Sequence, residues 1–166
     1  MRRLWMRLVS LCLRTNMARF STGLRNALAS NYGLGLMMNG GVIRVYGGSR
    51  PTSPDNAPGT SELGRITTDG LTFVAGNDTV GAGLSLMVVS PGIITKLGTW
   101  RLKGSTPGIA TWWRWCWADP DPLTESTYYP RVDGVVGSEL VLVGTSIYSG
   151  LNVEIEQFLF TLPLGS

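Results

Sequence analysis

The sequence predicts a mainly β protein: an antiparallel β-sandwich, jelly-roll-like, with one short N-terminal helix. Three observations carry that expectation. Apolar residues alternate with period two through much of the chain after Gly41, the pattern of half-buried strands. Glycine stands at 22 of 166 residues and proline at nine, with no collagen period, a composition that favours tight turns over long helices. Strand-like segments follow one another at roughly 8–12-residue intervals, as the strands of sandwiches and barrels do. At this length one domain is expected, and folding buries about 70% of the unfolded chain's surface, enough for a core without staples.

Residues 1–16 read as a basic extension ahead of the fold. Arg2, Arg3, Arg7, Arg14 and Arg19 fall in the first 19 residues with no acid among them, whereas from Phe20 onward nine basic residues face eleven acidic ones. The net charge of +3 therefore describes the head segment and not the body. A signal peptide begins with such a basic region, but Arg7 interrupts the apolar run and no Ala-x-Ala pattern follows. The longest uncharged run of this segment, Leu8 to Leu13, is too short to span a membrane. Two readings remain. One is a basic amphipathic helix that docks on a partner or lies on a membrane surface. The other, preferred for the segment's origin, is a start codon upstream of Met17.

Residues 17–38 hold the helix and a linker. Ser21 and Thr22 are capping residues for a helix running to about Ser30. Leu24, Ala27 and Leu28 give it an apolar stripe, and Asn31 to Leu36 is glycine-broken and ends it. So short a helix is marginal alone and must pack on something.

Residues 39–166 are the sandwich. Val42 to Tyr46 is its first strand, followed by a long surface loop, Gly47 to Gly59, that is too proline-rich for a ladder. Glu62–Thr68 and Leu71–Ala75 read as a hairpin about Asp69-Gly70. Gly83 to Val89 reads as a strand with Leu84, Leu86 and Val88 on one face, turned by Pro91-Gly92. Gly98 to Lys103 brings Trp100 and Leu102 together. Ile109 to Trp117 carries Trp113, Trp115 and Trp117 on one face and Trp112, Arg114 and Cys116 on the other, and Asp119-Pro120-Asp121-Pro122 stops it. Tyr128–Asp133, Glu139–Val143 and Val153–Leu162 are the last strands.

Composition removes most chemistry. Histidine is absent, and with it Ser-His-Asp and Cys-His nucleophiles, His-based zinc sites and the commonest general base. Two cysteines, Cys12 and Cys116, build neither a Cys-rich metal site nor a disulfide framework. No dinucleotide fingerprint and no Gly-Lys-Ser/Thr phosphate loop occurs. The body has only two lysines, Lys96 and Lys103, which argues against specific nucleic-acid binding by the folded domain.

Four features remain as candidates. Three indoles on one strand face amount to roughly 600 Å² of apolar surface, too much to leave bare on a monomer, so that face is core, with a subunit or ligand interface as the other reading. Trp112 and Arg114, opposite, are placed to stack on each other. Asp119, Asp121 and Glu125 are oxygen ligands in principle, but the loop lacks calcium-site spacing and reads as a solvated turn. Glu154 and Glu156 share a strand face at i, i+2, where an amphipathic strand is a better account than paired-carboxylate hydrolysis. Cys116 reads as a buried, inert side chain. No catalytic residue, metal site or cofactor is assigned.

The block Phe20-Ser21-Thr22-Gly23-Leu24-Arg25-Asn26-Ala27-Leu28, followed by Asn39-Gly40-Gly41-Val42-Ile43-Arg44-Val45-Tyr46-Gly47-Gly48 and a loop rich in proline, resembles the opening of a group of small tailed-bacteriophage virion proteins. The resemblance covers residues 19–75. It implies a virion location and a structural role and does not choose between head and tail; the expected function is non-enzymatic, on the tail or at the head–tail region, with fibre attachment as one form. It also implies other virion proteins, whether tail, adaptor or capsid subunits, as partners. Group members begin near Met17, in keeping with the upstream-start reading. The alternatives are a capsid cement or decoration protein and a carbohydrate-binding adhesion module built on the tryptophans. Edge strands and the helix stripe invite burial by neighbours, so a homo-oligomer is expected, with no specific nucleic acid and no membrane span. The candidate interface residues are Arg19, Leu24, Leu28, Trp112 and Arg114.

Overall fold

β-Branched and aromatic residues in alternation form strands, and the longest such runs here make a sandwich. The computed structural model describes residues 17–30 and 32–162; the basic extension, with both readings of it, lies outside them. Among the described residues the fold is mainly β, with two short helices. No helix in this part of the chain is long and apolar enough to cross a membrane.

The larger sheet has seven strands. In spatial order they are β1 (Arg19–Phe20), β9 (Arg131–Val135), β8 (Trp112–Cys116), β2 (Val42–Tyr46), β3 (Glu62–Thr68), β6 (Trp100–Gly104) and β12 (Asn152–Glu154). The smaller sheet runs β10 (Leu140–Val141), β13 (Gln157–Thr161), β5 (Ile93–Leu97) and β4 (Ser85–Ser90). β7 (Gly108–Ile109) and β11 (Ser146–Ile147) pair apart from both. Every ladder between named strands is antiparallel.

The core lies between the two sheets. Phe158 on β13 sits among Trp100, Trp113 and Trp115 of the larger sheet, with ring centroids 5.2, 5.7 and 5.6 Å away. All four side chains are essentially inaccessible to water. Edge-to-face and tilted contacts of this kind add to the area term for buried rings. Ile43, Val45, Ile66, Leu102, Ile94 and Phe160 complete the layer. The tryptophan face is therefore core, and Trp117, just past β8, packs half-buried at its margin. Gly134, opposite Trp113 on β9, is glycine for a steric reason: a Cβ there would overlap the Trp113 ring.

The helix α1 (Thr22–Ala29) begins at Ser21, whose Oγ accepts the Leu24 N–H at 3.1 Å. The same hydroxyl accepts from Arg131 N–H and donates to the Tyr129 carbonyl, so the cap also fastens the helix to β9. Leu24 is buried against the sandwich, and Ala27 and Leu28 pack on the same cluster half-buried. A second helix, α2 (Leu34–Met38), stands where the glycines predict only a break. Leu34, Met37 and Met38 bury one side of it in the core, so tertiary packing overrides the local glycine preference.

Three strand expectations are corrected. Leu71–Ala75 forms no ladder with Glu62–Thr68, because β3 already has β2 on one edge and β6 on the other. Asp69 and Gly70 do turn the chain, both at positive φ, but into a loop. Ile93–Leu97 is a strand between β13 and β4 that the alternation across Pro91-Gly92 left unassigned. Val153–Leu162 is two strands, broken at Ile155-Glu156, that belong to different sheets. The break separates Glu154 from Glu156, so they do not share a strand face.

Candidate functional site

Each sheet has a face turned away from the core, and the two faces differ in kind. On the larger sheet the cross-strand row reads Arg19, Asp133, Arg114, Arg44, Arg65, Lys103, Asn152. Sequence spacing alone does not show this ladder, because its members come from seven strands. The Gly47–Gly59 loop and residues 117–130 cover its left half. Arg114 donates from Nε and Nη2 to both oxygens of Asp133, each at 2.7 Å, and from Nη1 to the Asn56 carbonyl at 3.0 Å. Arg131 grips Asp121 with two bonds and also reaches the carbonyls of Pro54 and Thr124. Tyr46 stacks on Trp112 at 4.3 Å, with the Arg114 guanidinium over the indole at 5.7 Å. Burial opposes the charge on Arg114, but the Asp133 carboxylate outweighs it and lifts the guanidinium pKa above its ordinary value. Glu62 bridges Arg44 and Arg65 in the open half of the row.

This arrangement revises the candidate interface. Leu24, Trp112 and Arg114 have no exposed side-chain surface to offer a partner, since the sandwich covers the first and the proline-rich loop covers the other two. Trp112 and Arg114 do stack, within their own chain. Arg19 is half-buried and donates to the carbonyls of Pro51 and Thr52, a loop tether. Leu28 is half-buried on the core cluster. The acidic loop is corrected in part: Asp121 is not a solvated turn residue but the counter-ion of Arg131. Among the described residues no group of three or more metal-ligating side chains occurs. Glu154 is exposed and lies 3.9 Å from Arg101. Burial pushes the Cys116 thiol up to about 12.

The outer face of the smaller sheet carries no charge. Its residues, row by row, are Ser85 and Leu97; Met87, Thr95 and Leu159; Ser90, Ile93 and Thr161; and Gln157 with Val141. Met87, Leu97 and Leu159 are exposed, and so are Val88 and Val89 at the register shift in β4. β4 is an edge strand. Its first half is covered, because Asn39 Oδ1 accepts the Leu86 N–H and Gly41 pairs with Leu84. Its second half, Met87–Val89, pairs with β5 on one edge and has no strand on the other among the described residues.

At the opposite edge this face runs into a groove of about 410 Å³ between β1 and β13. Phe20 and Phe160 stack along it at 5.7 Å. Glu139 enters from the side. One carboxylate oxygen accepts the Ala18 N–H at 3.0 Å, and the other, Oε2, is buried with no hydrogen-bond partner among the described residues. A buried carboxylate oxygen left without a donor is costly. A donor from beyond the described residues, an N–H or a cationic side chain, fits there. The chain matches no protein-family model, no curated protein and no solved structure.

Proposed function

We propose that this protein is a non-enzymatic structural component of a bacteriophage virion, placed on the tail or at the head–tail region, which assembles through protein–protein contacts. The observation that carries the reading is the uncharged outer face of the smaller sheet, with a half-edge at Met87–Val89 unpaired among the described residues and the Glu139 groove at its other side. A face rich in exposed apolar side chains beside an unpaired strand edge is built to be covered. The resemblance of residues 19–75 to small tailed-phage virion proteins supplies the setting.

The ionisable groups support the same reading. Asp133, Asp121 and Glu62 are each held by an arginine, and the Cys116 thiol is buried and protonated. The Arg114–Asp133 and Arg131–Asp121 pairs fasten the two loops to the sheet, a structural use of charge.

Mass spectrometry and electron cryo-microscopy of purified particles test the proposal. The expected result is the chain at a defined position in the particle, with Met87→Lys and Leu159→Glu variants folded but poorly incorporated. Absence of the chain from particles overturns it, as does full incorporation of both variants. Copy number separates the two locations, hundreds meaning a head decoration and six or twelve a tail component.

A further inference from the structure

A cavity of about 380 Å³ opens between α1, α2 and the segment that leads into β9. Trp117, Tyr32 and Tyr128 give it three aromatic walls, and Asn26, Ser30 and Thr127 stand at its rim. Tyr32 and Tyr128 are exposed and Trp117 is half-buried, so ring surface faces the opening. Among the described residues nothing hydrogen-bonds the Trp117 indole N–H, the Tyr32 and Tyr128 hydroxyls, or the Asn26 and Thr127 side chains. Among the described residues no charged side chain lines the cavity.

We propose that this cavity binds a neutral saccharide. The chemistry of the lining selects that class. The C–H faces of a sugar ring lie against aromatic rings, while its hydroxyls take amide, hydroxyl and indole donors at the ring's edge. An anionic or cationic ligand would find no counter-charge here. A purely apolar ligand would make no use of the indole N–H or of the amide and hydroxyls at the rim.

The walls are preformed. Gly23 lets α1 approach so closely that a Cβ there would overlap the Tyr128 carbonyl. Tyr128 also stands edge-on to Tyr129, at 5.3 Å and 87°. A site whose rings are already placed binds without ordering them first. This site is distinct from the tryptophan face of β8: Trp113 and Trp115 are in the core and Trp112 is under the loop, and the indole that serves is Trp117, just past that strand.

The test is calorimetric titration of the full chain with maltohexaose, cellohexaose and chitohexaose, with tryptophan emission recorded alongside. Saturable binding of at least one is expected, with a change in emission from Trp117. Tyr128→Ala and Asn26→Ala lie at exposed positions and leave the fold intact. Each is expected to weaken binding about tenfold, the loss of one stacked ring or one amide contact, with the melting temperature unchanged. Trp117→Phe keeps a ring but loses the N–H and the emission change. Absence of binding to all three sugars overturns the proposal, and so does binding that Tyr128→Ala and Asn26→Ala leave unaltered.

Discussion

Arg114 and Asp133 face each other across β8 and β9, joined by two 2.7 Å bonds with both side chains wholly out of water. The pair lies on the outer face of the larger sheet, where only the chain's own loop covers it. A buried pair is weak as a net source of stability, yet breaking it leaves an uncompensated charge. Asp133→Asn or Arg114→Met is expected to destabilise the protein by about 3–5 kcal/mol in urea denaturation. The double variant Arg114→Met, Asp133→Leu should lose less than the two single losses combined, by about 0.5–3 kcal/mol. The Arg114 bond to the Asn56 carbonyl makes a second readout available. In the single variants the Gly47–Gly59 loop should become sensitive to protease before the strands do.

Trp113 and Gly134 are complementary in size. The indole occupies the space that any side chain at residue 134 would need, and its N–H donates to the Val135 carbonyl. Gly134→Ala is expected to be destabilising by about 1–3 kcal/mol, the usual range for overpacking. Trp113→Ala should lose about 3–5 kcal/mol through the cavity it leaves. Combining Gly134→Ala with Trp113→Leu should cost less than the two single substitutions added together, because the smaller side chain frees the clashing volume. Thermal melts of the single and double variants check the order.

Local signals made part of this fold legible. Ser21 before a Leu-Ala-Leu stripe marked α1, and Val42–Tyr46 showed its alternation plainly. The alternation also put Trp113 and Trp115 together and Trp112 beside Arg114. Long-range facts were not legible. Asp69-Gly70 is a hairpin signal, but whether a hairpin follows depends on which strand edges are free, and β3 had none. α2 contains Gly35 and forms because Leu34, Met37 and Met38 find a core to enter. Arg114 looked like an exposed contact residue because nothing local announces that Asp133, nineteen residues on, and the Asn56 carbonyl, fifty-eight residues back, will enclose it. The uncharged outer face of the smaller sheet draws on four separate segments, so no single stretch displays it. The Trp117 cavity likewise needs α1, α2 and residues 127–130 brought together.

Asp55 ties the proline-rich loop to α1. Its carboxylate accepts the Thr22 N–H at 2.8 Å and the Thr22 hydroxyl at 2.7 Å, at the positive end of the helix. Burial works against its charge, but the Thr22 bonds outweigh that and hold the carboxyl below its ordinary value. A lowered folded-state pKa stabilises the fold above the unfolded value, about pH 4, and that contribution is lost as pH falls through the folded value. Stability should therefore drop with acidification below about pH 4. Asp55→Asn should be less stable at pH 7 and flatter over the acid range. Denaturation midpoints measured from pH 7 to pH 2 distinguish the two proteins.

Cys116 lies on the outer face of β8 beside Val42, Phe73 and Ala82, walled off from solvent. Burial lifts its thiol pKa to about 12, so at pH 8 almost none is the reactive thiolate. In a Cys12→Ser background, which leaves this thiol as the sole cysteine, Ellman's reagent should release thionitrobenzoate from the native protein at pH 8 only slowly. It should release one equivalent after denaturation. The slow native-state rate should then track the opening of the segment that carries Phe73 and Ala82 over this face. Phe73→Ala strips the largest of those covering side chains and should make the thiol react faster without unfolding the sandwich. If the rate instead followed global unfolding in both proteins, the Phe73 segment would be part of the same cooperative unit as β8.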